Sequence, residues 1–118
     1  MPTISDIAGI PTPNSTDGIS FKSTLLHKKQ MPHDFLYWEF PSYNGQQAVR
    51  MRKWKGVRKN IFDGNLEIEL YNLETDIKEQ IDIASQHPKI IERMKRIMVE
   101  EHEPAFNKKF KFKQLGDL

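Results

Sequence analysis

Hydrophobic and polar residues alternate along the middle of the chain, over residues 35–73. The alternation has a period of two and is clearest in LEIELY, where aliphatic side chains occupy one face and glutamate and tyrosine the other. The first run, FLYWEF, is apolar at both alternating positions, so both of its faces can be buried. Turn-forming residues separate the runs. The pattern predicts an antiparallel meander with strands near residues 35–40, 47–50, 54–60 and 66–71.

A helical period replaces the period of two after Pro88. Apolar residues fall on one stripe of this segment and charged residues on the other, and proline suits a first helical turn. The apolar stripe consists of Ile90, Ile91, Met94, Ile97 and Met98. We predict a helix over residues 88–101 that lies on the sheet. The predicted fold class is α+β: a four-stranded antiparallel sheet with a C-terminal amphipathic helix packed across one face, preceded by short helices.

The short helices are predicted at the start of the chain. Residues 2–10 form the first, with Gly9 near its C-cap and two prolines beyond it. Ser20 is placed to cap a second helix over residues 21–26. Helices of this length are marginal in water on their own, so both need a surface to pack against.

Two connections within the sheet carry turn chemistry. Asp63 and Gly64 are the strongest signal for a tight hairpin, which would join the third and fourth strands. Arg52 and Lys53 occupy the turn between the second and third strands. A non-glycine residue with positive φ costs about 1 kcal/mol, so these residues either accept that cost or force a wider loop.

Composition removes several function classes. The chain has 118 residues, a net charge of +2 and no cysteine, which excludes disulfides, thiolate metal sites and a cysteine nucleophile. No apolar run approaches the roughly 20 residues of a membrane span, so no membrane partner is expected. His27 and His33 share one loop without a well-spaced carboxylate, and we therefore predict no metal site.

Several short motifs occur in an order that resembles one family. They are PTISDIAGIP, DGISF, TLL, YWEF, AVR followed by KWK, ELYNLETD and IASQHPKIIERM. Together they resemble the C-terminal subdomain of the type I sulfatases, the arylsulfatase family, over nearly the whole chain. The family commonly has glycine or an acidic residue between the AVR and WK elements, where this chain has Arg52 and Lys53.

The resemblance implies a division of the chain and a missing catalytic domain. Residues 1–26 are expected to be the segment leaving that domain, and residues 27–118 the C-terminal subdomain. The family hydrolyses sulfate esters with a formylglycine made from Cys/Ser-x-Pro-x-Arg, assisted by calcium. Because no such motif is present, this chain is expected to be an inactive fragment with no catalytic or metal-binding residue, and Met1 an artificial start. Formylglycine and calcium would belong to the missing domain of a parent that is exported to the periplasm, the lysosome or the extracellular space.

A dense basic segment, RMRKWKGVRKN, supplies the candidate site. The resemblance implies that this region lines the rim of the substrate cleft, so Arg50, Lys53 and Lys55 are expected to contact a sulfated substrate and Trp54 to stack on a sugar. The alternative is that Trp54 belongs to the core and the cations face water. This alternative is favoured because exposed runs of charged residues are common on protein surfaces.

A basic nucleic-acid-binding module is the alternative, weakened by the small net charge and by Glu39, Glu67 and Glu69 on neighbouring strands. A free-standing enzyme is disfavoured because no serine, histidine and aspartate are spaced as a triad. The expected partners are the sulfatase catalytic domain, a sulfated substrate bound by the parent, and a second copy of the chain through residues 1–26.

Overall fold

The computed structural model describes residues Met1–Leu118, which divide into two compact units, Met1–His33 and Asp34–Leu118. This boundary lies after the one proposed from the sequence at residue 26, and the assignment of the two parts to a linker and a subdomain stays a prediction. No helix of the chain has the length and apolar character needed to cross a membrane.

The first unit contains two short helices, α1 (Pro2–Ala8) and α2 (Lys22–Leu25). Gly9 ends α1 with a φ of 69°, as the sequence predicts. Phe21, and not Ser20, occupies the N-cap position of α2. The Ser20 hydroxyl nevertheless accepts from the N–H of Lys22, the first residue of α2, at 3.2 Å, and it donates to the Asp6 carboxylate of α1 at 2.6 Å.

The second unit contains the predicted sheet and helix. Its strands are β1 (Leu36–Phe40), β2 (Gln46–Met51), β3 (Trp54–Lys59) and β4 (Glu69–Asn72), paired antiparallel in sequence order. Helix α3 (Pro88–Glu100) begins with proline in its first turn and packs on one face of the sheet. The predicted α+β class is confirmed.

The core lies between α3 and the covered face of the sheet. It is built from the predicted methionine and isoleucine stripe of α3, from apolar residues of β2 and β4, and from Ile68 just before β4. The buried members are Val49, Met51, Ile68, Leu70, Met94, Ile97 and Met98. Burying each side chain of this size stabilises the fold by about 1.5 to 3 kcal/mol, which explains why the helix stays on the sheet.

The connection from β3 to β4 differs from the predicted tight hairpin. Asn60 and Gly64 both have positive φ, 57° and 85°, and a 3₁₀ turn, Ile61–Asp63, lies between them. Ile61 is fully buried, so the chain leaves the sheet to place this side chain inside the protein. As a result, β4 begins at Glu69 and not at Leu66.

The opposite face of the sheet, the outer face, is not covered by α3. Strand β1 forms one edge, and its outward side chains Trp38 and Phe40 are 49% and 50% exposed. The expectation that both faces of this run are buried is therefore wrong for its outer side. Val57 on β3 and Tyr71 on β4, the opposite edge strand, lie on the same face and are buried.

Candidate functional site

The four predicted site residues lie around the β2–β3 hairpin but not on one surface. Arg50 pairs with Lys55 across the two strands, and both side chains lie on the outer face. Trp54 pairs with Met51 on the face that α3 covers. Lys53 lies in the turn. The hairpin therefore contributes to two clefts, one on each side of the sheet.

The hairpin turn is tight in spite of its residues. Met51 pairs directly with Trp54, which leaves Arg52 and Lys53 as a two-residue loop. Arg52 takes a φ of 51°, while Lys53 does not adopt a positive φ. The carbonyl of Lys53 accepts a hydrogen bond from the N–H of Leu73 at 2.8 Å, which ties the turn to the end of β4. The chain thus accepts strain at Arg52 instead of widening the loop.

A cleft of about 630 Å³ lies beside this turn, and we call it the hairpin cleft. Its charged lining residues are Arg52, Lys53, Lys89, Arg93, Asp34 and Glu74. Four cations thus face two carboxylates, and only Lys53 is paired with one of these carboxylates, at 3.6 Å from Glu74. Excess positive charge with free guanidinium groups suits an anionic ligand.

Trp54 forms one wall of the hairpin cleft, and its ring already has partners. It packs against the core, and its ring centre lies 4.7 Å from that of His87. The Lys53 ammonium stands 5.2 Å from the indole centre, within the range of a cation–π contact. These contacts support a packing role for Trp54, which is the alternative to stacking on a sugar.

The second cleft lies on the outer face and has a volume of about 450 Å³. Its lining includes Trp38, Arg50, Lys55, Ile77 and Glu79. Lys55 is paired with Glu79 at 2.5 Å, whereas the exposed Arg50 guanidinium donates only to the carbonyl of Arg52, at 3.3 Å. This cleft therefore combines exposed apolar surface with one guanidinium that lacks a carboxylate.

The remaining basic residues do not form a continuous track for phosphates. Lys59 is paired with Glu69 at 2.5 Å on the outer face. Arg58 points to the opposite face, where its Nη1 donates to the Gln47 side chain at 2.7 Å. Since the cations are split between two faces and several are neutralised, the arrangement does not favour the nucleic-acid alternative.

One buried polar cluster was not anticipated from the sequence. The ring nitrogens of His102 contact two carboxylates, Nδ1 with Glu39 Oε1 at 2.6 Å and Nε2 with Asp117 Oδ1 at 2.7 Å. Gln47 Nε2 donates to the same Glu39 oxygen at 2.7 Å. The sequence contains one indication of this cluster, because Glu39 is a charged residue at an inward-facing position of β1. The residues near Glu39 in the sequence do not indicate which side chains it contacts.

The cofactors of the resembled family do not fit the residues of this chain. No group of three or more histidine, cysteine, aspartate or glutamate residues is arranged to hold a metal ion. The chain has no cysteine, and none of its serines begins a Ser-x-Pro-x-Arg motif, so no precursor of formylglycine is present. Neither of the two clefts, nor the polar cluster around His102, contains a nucleophile with an adjacent base.

The sequence and the fold of this chain match part of several larger proteins. Arylsulfatase K of Danio rerio is 30% identical over 108 residues, which are 82% of this chain and 20% of the relative. A solved 2-O GAG sulfatase is 27% identical with a TM-score of 0.66, and the match covers 85% of this chain and 23% of that one. No protein-family model matches.

A further solved structure extends the likeness in fold. Ps i-CgsB matches 99% of this chain with a TM-score of 0.68, covering 24% of its own length at 20% identity. The resemblance to the type I sulfatases is therefore confirmed. The chain spans only about one fifth of the length of the curated relative.

Proposed function

We propose that this chain is the C-terminal subdomain of a sulfatase, a sulfuric ester hydrolase, and is itself non-catalytic. The observation that carries the proposal is that the chain matches about one fifth of the length of an arylsulfatase. The chain also has no formylglycine motif and no group of residues arranged to bind a metal ion. Its roles would be to support the catalytic domain and to line the rim of the cleft for a sulfated substrate.

The hairpin cleft supports the second role. Arg52, Lys89 and Arg93 present donors without a carboxylate partner in this structure, and Lys53 adds a fourth cation at the turn. Charge-assisted bonds from such groups favour a sulfate ester over a neutral hydroxyl. Because a GAG sulfatase is among the similar structures, we propose a sulfated glycan as the substrate class. Arg50 and Lys55 lie on the opposite face of the sheet, so they would not contact a substrate held in this cleft.

The outer face supports the first role. Half-exposed Trp38 and Phe40 lie on the same face as Arg50, which has no carboxylate partner. An apolar surface with one free guanidinium suits contact with another protein surface that brings an acidic residue. We assign this surface to the sulfatase catalytic domain, whose own site would carry calcium and formylglycine in an exported parent.

The proposal is tested on the purified chain with two measurements. First, we expect no turnover of an aryl sulfate with or without calcium. Second, titration with a heparin-derived sulfated disaccharide should shift the amide resonances of the β2–β3 turn and the first turn of α3, while the unsulfated disaccharide should not. Loss of one charge-assisted bond in Arg93→Gln should weaken binding roughly fivefold.

The matched control is Lys108→Gln, which removes an exposed cation from the tail, outside both clefts. It should leave the affinity unchanged. Calcium-dependent turnover by a highly purified sample would contradict the non-catalytic role. Equal binding of the sulfated and unsulfated disaccharides, or equal losses in Arg93→Gln and Lys108→Gln, would contradict the proposed rim.

A further inference from the structure

The C-terminal tail, residues 101–118, is held on the second unit by one imidazole between two carboxylates. His102 follows α3, Glu39 lies in β1, and Asp117 is next to the last residue. The two contacts measure 2.6 and 2.7 Å, and the side chains of His102 and Asp117 are 11% and 1% exposed. The contacts therefore join the beginning and the end of the tail to the sheet within a largely dry environment.

With both carboxylates ionised, the geometry favours a doubly protonated ring. An ionised carboxylate only accepts hydrogen bonds, so each ring nitrogen must donate one. A neutral imidazole has a single N–H and would place its lone pair against the second carboxylate. The imidazolium also balances charge, because two cations, His102 and Arg58, then accompany two anions, Glu39 and Asp117, linked through the Gln47 side chain.

The same tail residues carry an apolar anchor. Phe112 is 2% exposed and stacks on Phe62, with ring centres 5.1 Å apart. Its ring lies against Gly45, where an added Cβ would come within 2.7 Å of it. The second oxygen of Asp117 accepts a hydrogen bond from the Phe112 N–H at 2.7 Å. Asp117 thus connects the imidazole to the anchor through its two carboxylate oxygens.

We propose that Glu39, His102 and Asp117 form a pH-dependent latch, which holds residues 101–118 on the sheet in mildly acidic solution and loosens them when His102 loses its proton. Loosening would expose the Phe112 side chain and the surface around Gly45 and Ile61. The inference concerns the tail and does not depend on the proposed function.

The directions of the pKa shifts agree with this latch. Burial opposes charge on the ring, but the bonds to Asp117 and Glu39 outweigh burial and raise the pKa of His102 above its ordinary 6.5. The stabilisation is therefore complete below about pH 6.5 and is lost as the pH rises through the higher docked-state pKa. Burial likewise opposes ionisation of Asp117, but bonds from His102 and the Phe112 N–H hold the pKa of that carboxyl below 3.8. Its contribution is present above about pH 3.8 and is lost as the pH falls through the lower value.

Other titratable groups around the cluster do not replace His102 as the switch. The Tyr37 hydroxyl donates to Glu39, and burial together with that bond raises its pKa far above the ordinary value, so it stays protonated. Lys111 lies near Asp117, and Glu67 lies near Arg58. Neither contacts the imidazole.

Nuclear magnetic resonance of the intact chain tests the latch. Imidazole nitrogen spectra follow each of the four histidines between about pH 5 and pH 10, while hydrogen exchange of the Phe112 amide reports opening of the tail. We expect His102 to titrate above 6.5 with both nitrogens protonated at mildly acidic pH. The opening constant should rise tenfold for each unit by which its docked-state pKa exceeds the unfolded value.

Two variants separate the latch from general stability. His102→Gln keeps one donor but cannot titrate, so tail opening should lose its pH dependence in this range. His33→Gln, at an exposed histidine of the first unit, should keep the wild-type dependence. The proposal is overturned if His102 titrates at or below 6.5, or if His102→Gln opens with an unchanged pH profile. If that variant fails to fold, the ring titration of the wild-type chain decides alone.

Discussion

At the scale of single residues, Gly56 is the position where sheet and helix leave no room for a side chain. A Cβ at this position would lie 2.3 Å from Met94 Sδ and 3.1 Å from Ile68 Cγ2. Met94 is fully buried, so it has no free space to move into. We expect Gly56→Ala to lower the free energy of unfolding by about 1 to 3 kcal/mol, measured by urea denaturation. Gly18→Ala is the control, because its Cβ would meet only an ordinary contact at 3.5 Å. An unchanged midpoint for Gly56→Ala would show that α3 is less closely packed than the structure indicates.

The candidate site shows how far single residues can be placed from the sequence. The sequence identifies the basic segment, and a two-residue turn then makes Arg50 face Lys55 and Trp54 face Met51. It does not identify Lys89 and Arg93, because their place in the hairpin cleft depends on how α3 crosses the sheet. Glu39 and His102 are separated by 63 positions, and no periodic pattern connects them. Local sequence patterns therefore predict which face of a strand or helix a residue occupies. Contacts between different elements can be known only from how the elements pack in the structure.

At the scale of elements, the β2–β3 hairpin stores backbone strain at a defined residue. Arg52 has a φ of 51°, a conformation that favours glycine. We expect Arg52→Gly to raise the free energy of unfolding by about 0.5 to 1 kcal/mol. Lys53→Gly is the matched control; this residue has no positive φ, so glycine should lower stability by about 0.5 to 1 kcal/mol. Urea denaturation of both variants measures the difference, and changes of the same sign would contradict the assignment of strain to Arg52.

The elements themselves follow closely from periodicity, and their connections follow less well. The four strands and α3 lie where the periods of two and 3.6 predict them, within a few residues. The Asp63–Gly64 signal fails as a tight hairpin because Ile61 is buried, and this side chain holds the loop away from the strand ends. Asn60 and Gly64, with φ values of 57° and 85°, share the change of chain direction that was expected of Asp63 and Gly64. The sequence shows which residues tolerate a turn, but tertiary packing decides which of them adopt a positive φ.

At the scale of the whole molecule, the first unit carries an unusual amount of exposed apolar surface. More than half of each side chain is exposed for Ile4, Ile7, Ile10, Phe21, Leu25 and Leu26. The predicted packing face of α1 is thus turned to solvent, and the buried residues of this helix are Thr3 and Ser5. Large exposed apolar patches are rare on soluble monomers, so we expect this surface to be covered in solution by a second copy of the chain.

Deleting residues 2–26 tests that expectation. The truncated chain should remain folded by circular dichroism, because the core of the second unit is formed entirely by residues between Asp34 and Leu118. Light scattering should show a dimer for the full chain and a monomer for the truncated one. Ile4→Lys with Ile7→Lys should have the same effect, since each places a charge within the apolar patch. Ile81→Lys with Val99→Lys is the control, because these residues are similarly exposed but lie in the second unit and outside both clefts. If the truncated chain unfolds, residues 2–26 contribute to the stability of the second unit, and if it remains dimeric, the association uses another surface.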